Sequence, residues 1–258
     1  MNLVVLVLDS FTQNSIRNSK IQKSTWVKEF SNNSEVLFYK GGNKTFRRQQ
    51  DLLLNCSDAY SDMGLKTLKA FEWVDLNLSY DYIFRTNTSS YVNYKNLIRY
   101  LKIIKEEGTD YCGYIGEYKG IKYVSGSGII LSKNAIKSLI SSKSEIDTDI
   151  VEDVAIGKLL KINEISPVKG KRKDIESHKD IRNIDSDEYH IRCRIDSFGY
   201  SRNLEKYLLN FIFISFNKKR IFYEFIISNL MKLNKSYLKI RRSIKSKIKL
   251  LIFRTNIN

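Results

Sequence analysis

The segment FRTNTSSYVN, Phe84–Asn93, follows a short apolar stretch, Tyr80–Phe84, and runs into five small neutral polar residues, Thr86 to Ser90. Such side chains hydrogen-bond well but carry no charge, and without a carboxylate beside them they are weak ligands for a hard cation. By itself this run reads either as a polar binding edge or as an Asx or Ser/Thr turn. Further along, Glu152 and Asp153 open the segment VEDVAIG. Acids in the first turn of a helix are favoured by the helix dipole, and a carboxylate can equally serve as a general base. Gly126-Ser127-Gly128 permits either close approach of backbone to a ligand or a plain tight turn. Asp9 stands at the end of the first apolar run, where open α/β sheets bind ligands, and would contact a nucleoside or cap a loop. His178 and His190, with Cys56, Cys112 and Cys193 dispersed, give no independent metal constellation.

These residues need a scaffold, and the first 165 residues supply one. Leu3–Leu8 is a continuous apolar run, the mark of a strand buried on both faces. Strands are expected again at Glu35–Tyr39, Asp51–Leu54 and Tyr80–Phe84, with a turn at Gly41-Gly42. Tyr111–Tyr118 and Ile121–Val124 flank a Lys119-Gly120 hairpin turn. Helices are expected at Ile16–Phe30, at Met63–Val74 with Leu65, Leu68, Phe71 and Trp73 inward, at Tyr94–Lys105, and at Val151–Leu160. Ser132 is placed as a helix N-cap. This alternation predicts an α/β sandwich on a mostly parallel sheet. After Pro167 the stretch KGKRKDIESHKD reads as a charged loop, and Glu188–Arg194 as a last strand.

Four stretches together resemble the Fringe-type and β1,3-galactosyl- or N-acetylglucosaminyltransferases. In DAYSDMGLKTLKAFEW the matching residues are Asp58, Tyr60, Lys66 and Thr67; in the opening segment, Thr86, Val92 and Asn93. In YVSGSGIILS they are Gly126, Gly128, Leu131 and Ser132, and in VEDVAIG, Glu152, Asp153, Val154 and Gly157. The resemblance spans roughly residues 3–165. It implies a GT-A-like fold and transfer, with inversion, of a hexose or N-acetylhexosamine from a nucleotide-diphosphate sugar. It gives Asp153 the role of base, with Glu152 orienting the site. Donor binding is expected of Asp9, Lys66, Arg85, Thr86, Asn87, Ser89, Gly126, Ser127 and Gly128. Where that family carries three aspartates for a divalent metal, this chain has Asn87-Thr88-Ser89. No cofactor is therefore assigned, and manganese or magnesium is left open. The diphosphate would be met by Lys66, Arg85 or the basic Lys171-Arg172-Lys173 loop. His190 is placed in phosphate contact or in simple packing.

The chain has 258 residues and a net charge of +16, with one proline. Residues 201–258 hold 14 Lys and Arg against 2 acids, while the body before them is near neutral. That contrast divides the chain into a transferase domain, 1–200, and a basic helical appendage, 201–258. The appendage interleaves apolar and basic residues and has no run of the roughly 20 apolar residues a membrane span needs. It is expected either to lie on an anionic membrane or to pack, over 202–234, against the core. The expected setting is the cytoplasmic face of a bacterial membrane, in surface polysaccharide synthesis, with a glycan or lipid-linked acceptor. Nucleic-acid binding is disfavoured because no recognised module is present. A catalytically inactive sugar-binding or scaffolding relative is the alternative.

Overall fold

The computed structural model describes residues 1–30, 34–177, 179–217, 227 and 229–239. The elements run β1 (Leu3–Leu8), α1 (Gln13–Ser24), β2 (Ser34–Gly42), β3 (Phe46–Arg48), β4 (Asp51–Asn55), α2 (Met63–Asn77), β5 (Tyr82–Asn87), β6 (Ser90–Val92) and α3 (Tyr94–Glu106). They continue with β7 (Tyr111–Tyr118), β8 (Ile121–Ser132), α4 (Lys133–Ser141), α5 (Glu152–Ile162), β9 (Val168–Lys169), β10 (Lys173–Asp174), β11 (His190–Arg192) and α6 (Glu205–Asn217). Eight strands form one sheet in the order β3-β4-β2-β1-β5-β8-β7-β9, and β10-β11-β6 form a smaller one. In the large sheet β1 pairs in parallel with both β2 and β5, β2 with β4, and β7 with β9. The expected α/β architecture on a mostly parallel sheet is met.

Period-two alternation sends the side chains of each central strand to two cores. Val5 and Val7 of β1, Phe38 of β2 and Phe84 of β5 join one. Val4 and Leu6, Leu37 and Tyr39, and Ile83 join the other. This two-sided burial is why β1 is apolar at every position. The first core is closed by α3, α6 and the small sheet, the second by α2, α4 and α5. Chain order reverses at β1, which sends β2 to one side and β5 to the other. The crevice beyond their carboxyl ends is the usual ligand position in such sheets.

Several local expectations are met in the residues that define them. Lys119 and Gly120 both have positive φ, 48° and 76°, and turn β7 back into β8. The Ser132 hydroxyl accepts from the Ala135 N–H and caps α4. Others are corrected. Gly41-Gly42 makes no turn: β2 runs through both, and a Cβ on Gly41 would lie 2.5 Å from the Ser57 carbonyl. Gly126-Ser127-Gly128 is likewise no turn but the interior of β8. On α2, Leu65 is exposed, while Lys66, Thr67, Ala70 and Val74 join Leu68 and Phe71 on the buried face. Two polar residues displace the leucine because they are drawn into buried hydrogen bonds. The expected helix Ile16–Phe30 is α1 plus a separate 3₁₀ turn, Trp26–Glu29; α1 is capped by Thr12.

The segment expected as an appendage begins inside the fold. Leu208, Leu209 and Ile212 of α6 are fully buried in the same core as Val5 and Phe84. Glu205, fully buried, accepts from Asn18 Nδ2 of α1 at 2.7 Å. Residues 229–239 are helical, and Met231 joins the same core. This is the packing alternative for that part of the chain. The most basic stretch, 240–258, and His178 lie outside the described residues. Among the described residues no helix is long and apolar enough to cross a membrane.

Candidate active site

A cavity of about 490 Å³ opens beyond the carboxyl ends of β1 and β5. Asp9 follows β1 and is buried. Its Oδ1 accepts from the Ser15 hydroxyl at 2.7 Å and from the Ser10 N–H at 2.8 Å, and its Oδ2 lies 3.4 Å from Lys40 Nζ. Ser15 also meets Thr88 Oγ1 at 3.0 Å, tying α1 to the tip of β5. At that tip the Asn87 Oδ1 accepts from the Ser89 N–H at 3.1 Å, the Ser89 hydroxyl at 2.9 Å and the Ser90 hydroxyl at 3.2 Å. The amide oxygen is thus spent on an Asx turn, and Asn87, Thr88 and Ser89 edge the cavity as a neutral rim.

Opposite the rim stands the start of α5. The Asp153 Oδ2 accepts from the Gly126 N–H at 2.9 Å and its Oδ1 from the Val154 N–H at 3.1 Å. A side chain at residue 126 would crowd Arg85 Nη1 at 2.9 Å and the Asp153 Cβ at 3.5 Å, so glycine there lets both groups approach β8. Glu152 has another task. Arg85 Nη2 donates to both of its carboxylate oxygens at 2.6 Å, and both side chains are buried. Arg85 Nε donates to the Tyr39 hydroxyl at 2.9 Å, Tyr39 meets Thr67 Oγ1 at 2.9 Å, and the Thr67 hydroxyl donates back to Glu152. Arg85 Nη1 donates to the Gly126 carbonyl. The ring of bonds is closed: Arg85 to Tyr39 to Thr67 to Glu152 to Arg85. Burial pushes the Glu152 carboxyl up against the lowering effect of Arg85, and pushes the Tyr39 phenol up to about 12.

This geometry revises two expected phosphate ligands. Arg85 reaches the cavity wall, yet Nε, Nη1 and Nη2 all donate within the protein and Glu152 balances its charge. Lys66, also buried, donates to Asp58 Oδ1 at 2.8 Å, an oxygen that accepts the Gly41 N–H as well. Both act on the site by fixing carboxylates and strand ends. In the basic loop, Lys171 pairs with Asp187 at 2.5 Å, and Arg172 donates to Ser127 Oγ at 2.8 Å and stacks 4.1 Å over Tyr114.

Of the residues singled out in the sequence, Asp9, Lys66, Arg85, Asn87, Ser89, Gly126, Ser127, Glu152 and Asp153 line the cavity together. Thr86, Gly128 and His190 do not. They form a cluster behind it: the Thr86 hydroxyl donates to the Ser127 carbonyl at 2.6 Å, and His190 Nε2 lies 3.0 Å from Ser90 Oγ. A Cβ on Gly128 would lie 2.4 Å from the His190 ring. Gly128 is therefore glycine to admit an imidazole, and His190 packs edge-on against Phe84 at 5.4 Å. Burial, then the charges of Arg172 and Arg192, hold the His190 pKa well below its ordinary value. The phosphate role expected for His190 gives way to its packing role.

Three cavity-lining arginines were missed: Arg192, Arg194 and Arg202. The spacing Arg192-x-Arg194, which puts both on one side of an extended chain, was the available signal.

The donor set does not fit a divalent metal. The strand tip offers no carboxylate. Asp9, Asp58 and Glu152 are each paired to a cation, and Asp153 is held by backbone N–H groups. Among the described residues no group of three or more His, Cys, Asp or Glu could hold a metal ion.

The chain is similar to glycosyltransferases. It is 27% identical over 140 residues to the human UDP-GalNAc:beta-1,3-N-acetylgalactosaminyltransferase 1, a match covering 45% of this chain and 41% of the relative. The mouse protein of the same name is 28% identical over 140 residues, with the same coverage. The chain thus spans less than half the length of these curated relatives. In structure it is similar, with a TM-score of 0.53 at 12% identity, to a glycosyltransferase involved in the glycosylation of the major capsid of PBCV-1, over 81% of this chain and 98% of that one. That likeness concerns the fold, which is of the GT-A kind expected. No family model matches the chain. The sequence match is thus to glycosyltransferases, and the structural likeness is one of fold.

Proposed function

We propose that the cavity binds a nucleotide-diphosphate sugar and that the protein transfers its hexose or N-acetylhexosamine, with inversion, to a glycan or lipid-linked acceptor. The acceptor oxygen attacks the anomeric carbon, its proton passes to Asp153, and the bond to the diphosphate breaks. The observation that carries this reading is the Asp153 carboxylate, anchored by the Gly126 N–H at 2.9 Å on the wall of the cavity beyond β1 and β5. A base so held keeps one geometry through an in-line attack. Glu152, neutralised by Arg85, fixes the start of α5 that presents Asp153. The relatives' names supply the first donor to try, UDP-N-acetylgalactosamine, and the first linkage, β1,3. The likeness to Fringe-type transferases belongs to this reading, as does turnover without a metal, which the neutral rim supports. The basic C-terminal region supports contact with an anionic membrane surface; the inner face of a bacterial membrane, in surface polysaccharide synthesis, is the setting proposed.

The alternative, a catalytically silent sugar-binding relative, is favoured by the Asn87 turn, which leaves no acid at the strand tip. One experiment separates the two. Purified protein is given a panel of UDP- and GDP-sugars, with manganese or with EDTA, beside Asp153→Asn. Nucleotide release that survives EDTA and falls by about 10²–10⁴-fold in the variant supports the transferase reading. Equal release by the variant refutes the role of Asp153. Donor binding without any release or transfer favours the silent relative.

A further inference from the structure

The cations on the cavity wall are of two kinds. Lys66 and Arg85 are matched by Asp58 and Glu152, which line the cavity beside them. Arg192, Arg194 and Arg202 are matched by Asp174, Asp196 and Glu205, none of which lines it. These acids grip the arginines away from the cavity, with Arg194 Nε 3.1 Å from Asp196 Oδ1 and Arg202 Nε 2.8 Å from Glu205 Oε1. A guanidinium has five N–H donors in a planar fork, more than one carboxylate can take. Arg192 shows this directly. Its nearest carboxylate contact is Nη1 to Asp174 Oδ2 at 3.7 Å, and its Nε–H is buried with no partner among the described residues. The cavity-lining cations whose paired acids lie off the cavity thus belong to one chain segment, 192–202. Planar forks recognise phosphate oxygens bidentately, and donors fixed in advance stabilise charge that develops on a leaving group.

We propose that Arg192, Arg194 and Arg202 bind the diphosphate of the nucleotide-sugar and supply the charge that a divalent metal would otherwise bring. The assignment rests on the donor reading above. It places the leaving group at the 192–202 segment and the acceptor near Asp153.

The test is calorimetric titration of the full chain with UDP and GDP in EDTA, with uridine and guanosine as uncharged comparators. The variants are Arg192→Gln, Arg194→Gln and Arg202→Lys, the last keeping a cation beside buried Glu205. Thermal melts check folding. A diphosphate should bind in EDTA, more weakly as salt rises. Each Gln variant should weaken it by about 10-fold or more, with nucleoside binding unchanged. Arg194, whose side chain is 43% exposed, decides alone should Arg192→Gln not fold. Wild-type binding in EDTA that the folded variants match within about 2-fold overturns the arginine assignment and leaves the donor reading intact. So does binding that requires manganese. If neither diphosphate binds to folded protein under any condition, the donor reading fails and this inference fails with it.

Discussion

Replacing Arg85 by methionine leaves Glu152 buried with only the Thr67 hydroxyl as a donor. Breaking a buried ion pair from one side costs about 3–5 kcal/mol, against a total stability of about 5–15 kcal/mol. The variant should therefore fold but unfold at much lower urea. With a slope of about 2–3 kcal/mol per molar urea, the midpoint should fall by about 1–2.5 M at pH 7. The loss must also depend on pH. In the native protein, burial raises the Glu152 carboxyl while Arg85 lowers it; removing Arg85 leaves burial unopposed, and the folded-state pKa rises further. A carboxyl with a raised folded pKa favours folding below its unfolded value, about 4.3, and loses that advantage as pH climbs through the folded value. Between the Glu152 pKa of the native protein and that of the variant, the deficit should grow by about 1.4 kcal/mol per pH unit. A remainder should persist in acid, because the carbonyl of Gly126 and the oxygen of Tyr39 lose their donor. Urea midpoints at pH 5, 6, 7 and 8 measure both parts. A deficit under about 1 kcal/mol, or one flat across this range, would refute the closed ring as the support of α5.

Three further substitutions probe the scaffold. Gly128→Ala brings a methyl to 2.4 Å from the His190 ring and should cost about 1–3 kcal/mol by overpacking, read by thermal or urea unfolding; Gly120→Ala, in open space but at φ 76°, should cost less. Ser132→Ala removes the α4 cap and should cost about 1 kcal/mol, with the Asp110 carboxylate losing the Ser132 hydroxyl as well; stability unchanged by calorimetry would show the cap to be idle.

Much of the frame was legible because it is set by near neighbours. The unbroken apolar run of β1 announces two covered faces, Lys119-Gly120 announces a hairpin, and Ser132 announces a helix start. Glu152 and Asp153 could be placed together at a helix N-terminus for the same reason. What could not be read depends on partners far along the chain. Whether Arg85 faces a ligand or Glu152 is decided across 67 residues. The fate of His190 is settled by the pairing of β11 with β6, which sets His190 opposite Val92. That same pairing carries Arg192 to the cavity, so the arginines went unnoticed while the Lys171-Arg172-Lys173 run stood out by composition. On α2 the apolar pattern put Leu65 inward because periodicity counts hydrophobes, and it gives no weight to a buried Lys66 or Thr67.

The joint between α1 and α6 bears on how the protein comes into being. Asn18 is bonded to Glu205, and Arg17 donates to Asn203, across 187 and 186 residues. Neither contact can form during synthesis until residues 203 and 205 have been made. During synthesis the parallel strands β1, β2, β4 and β5 can associate while the arginine segment is still unmade. The nascent molecule would then carry Asp153 before the arginine segment, and the proposed nucleotide site would be completed only once residues 192–202 had been made.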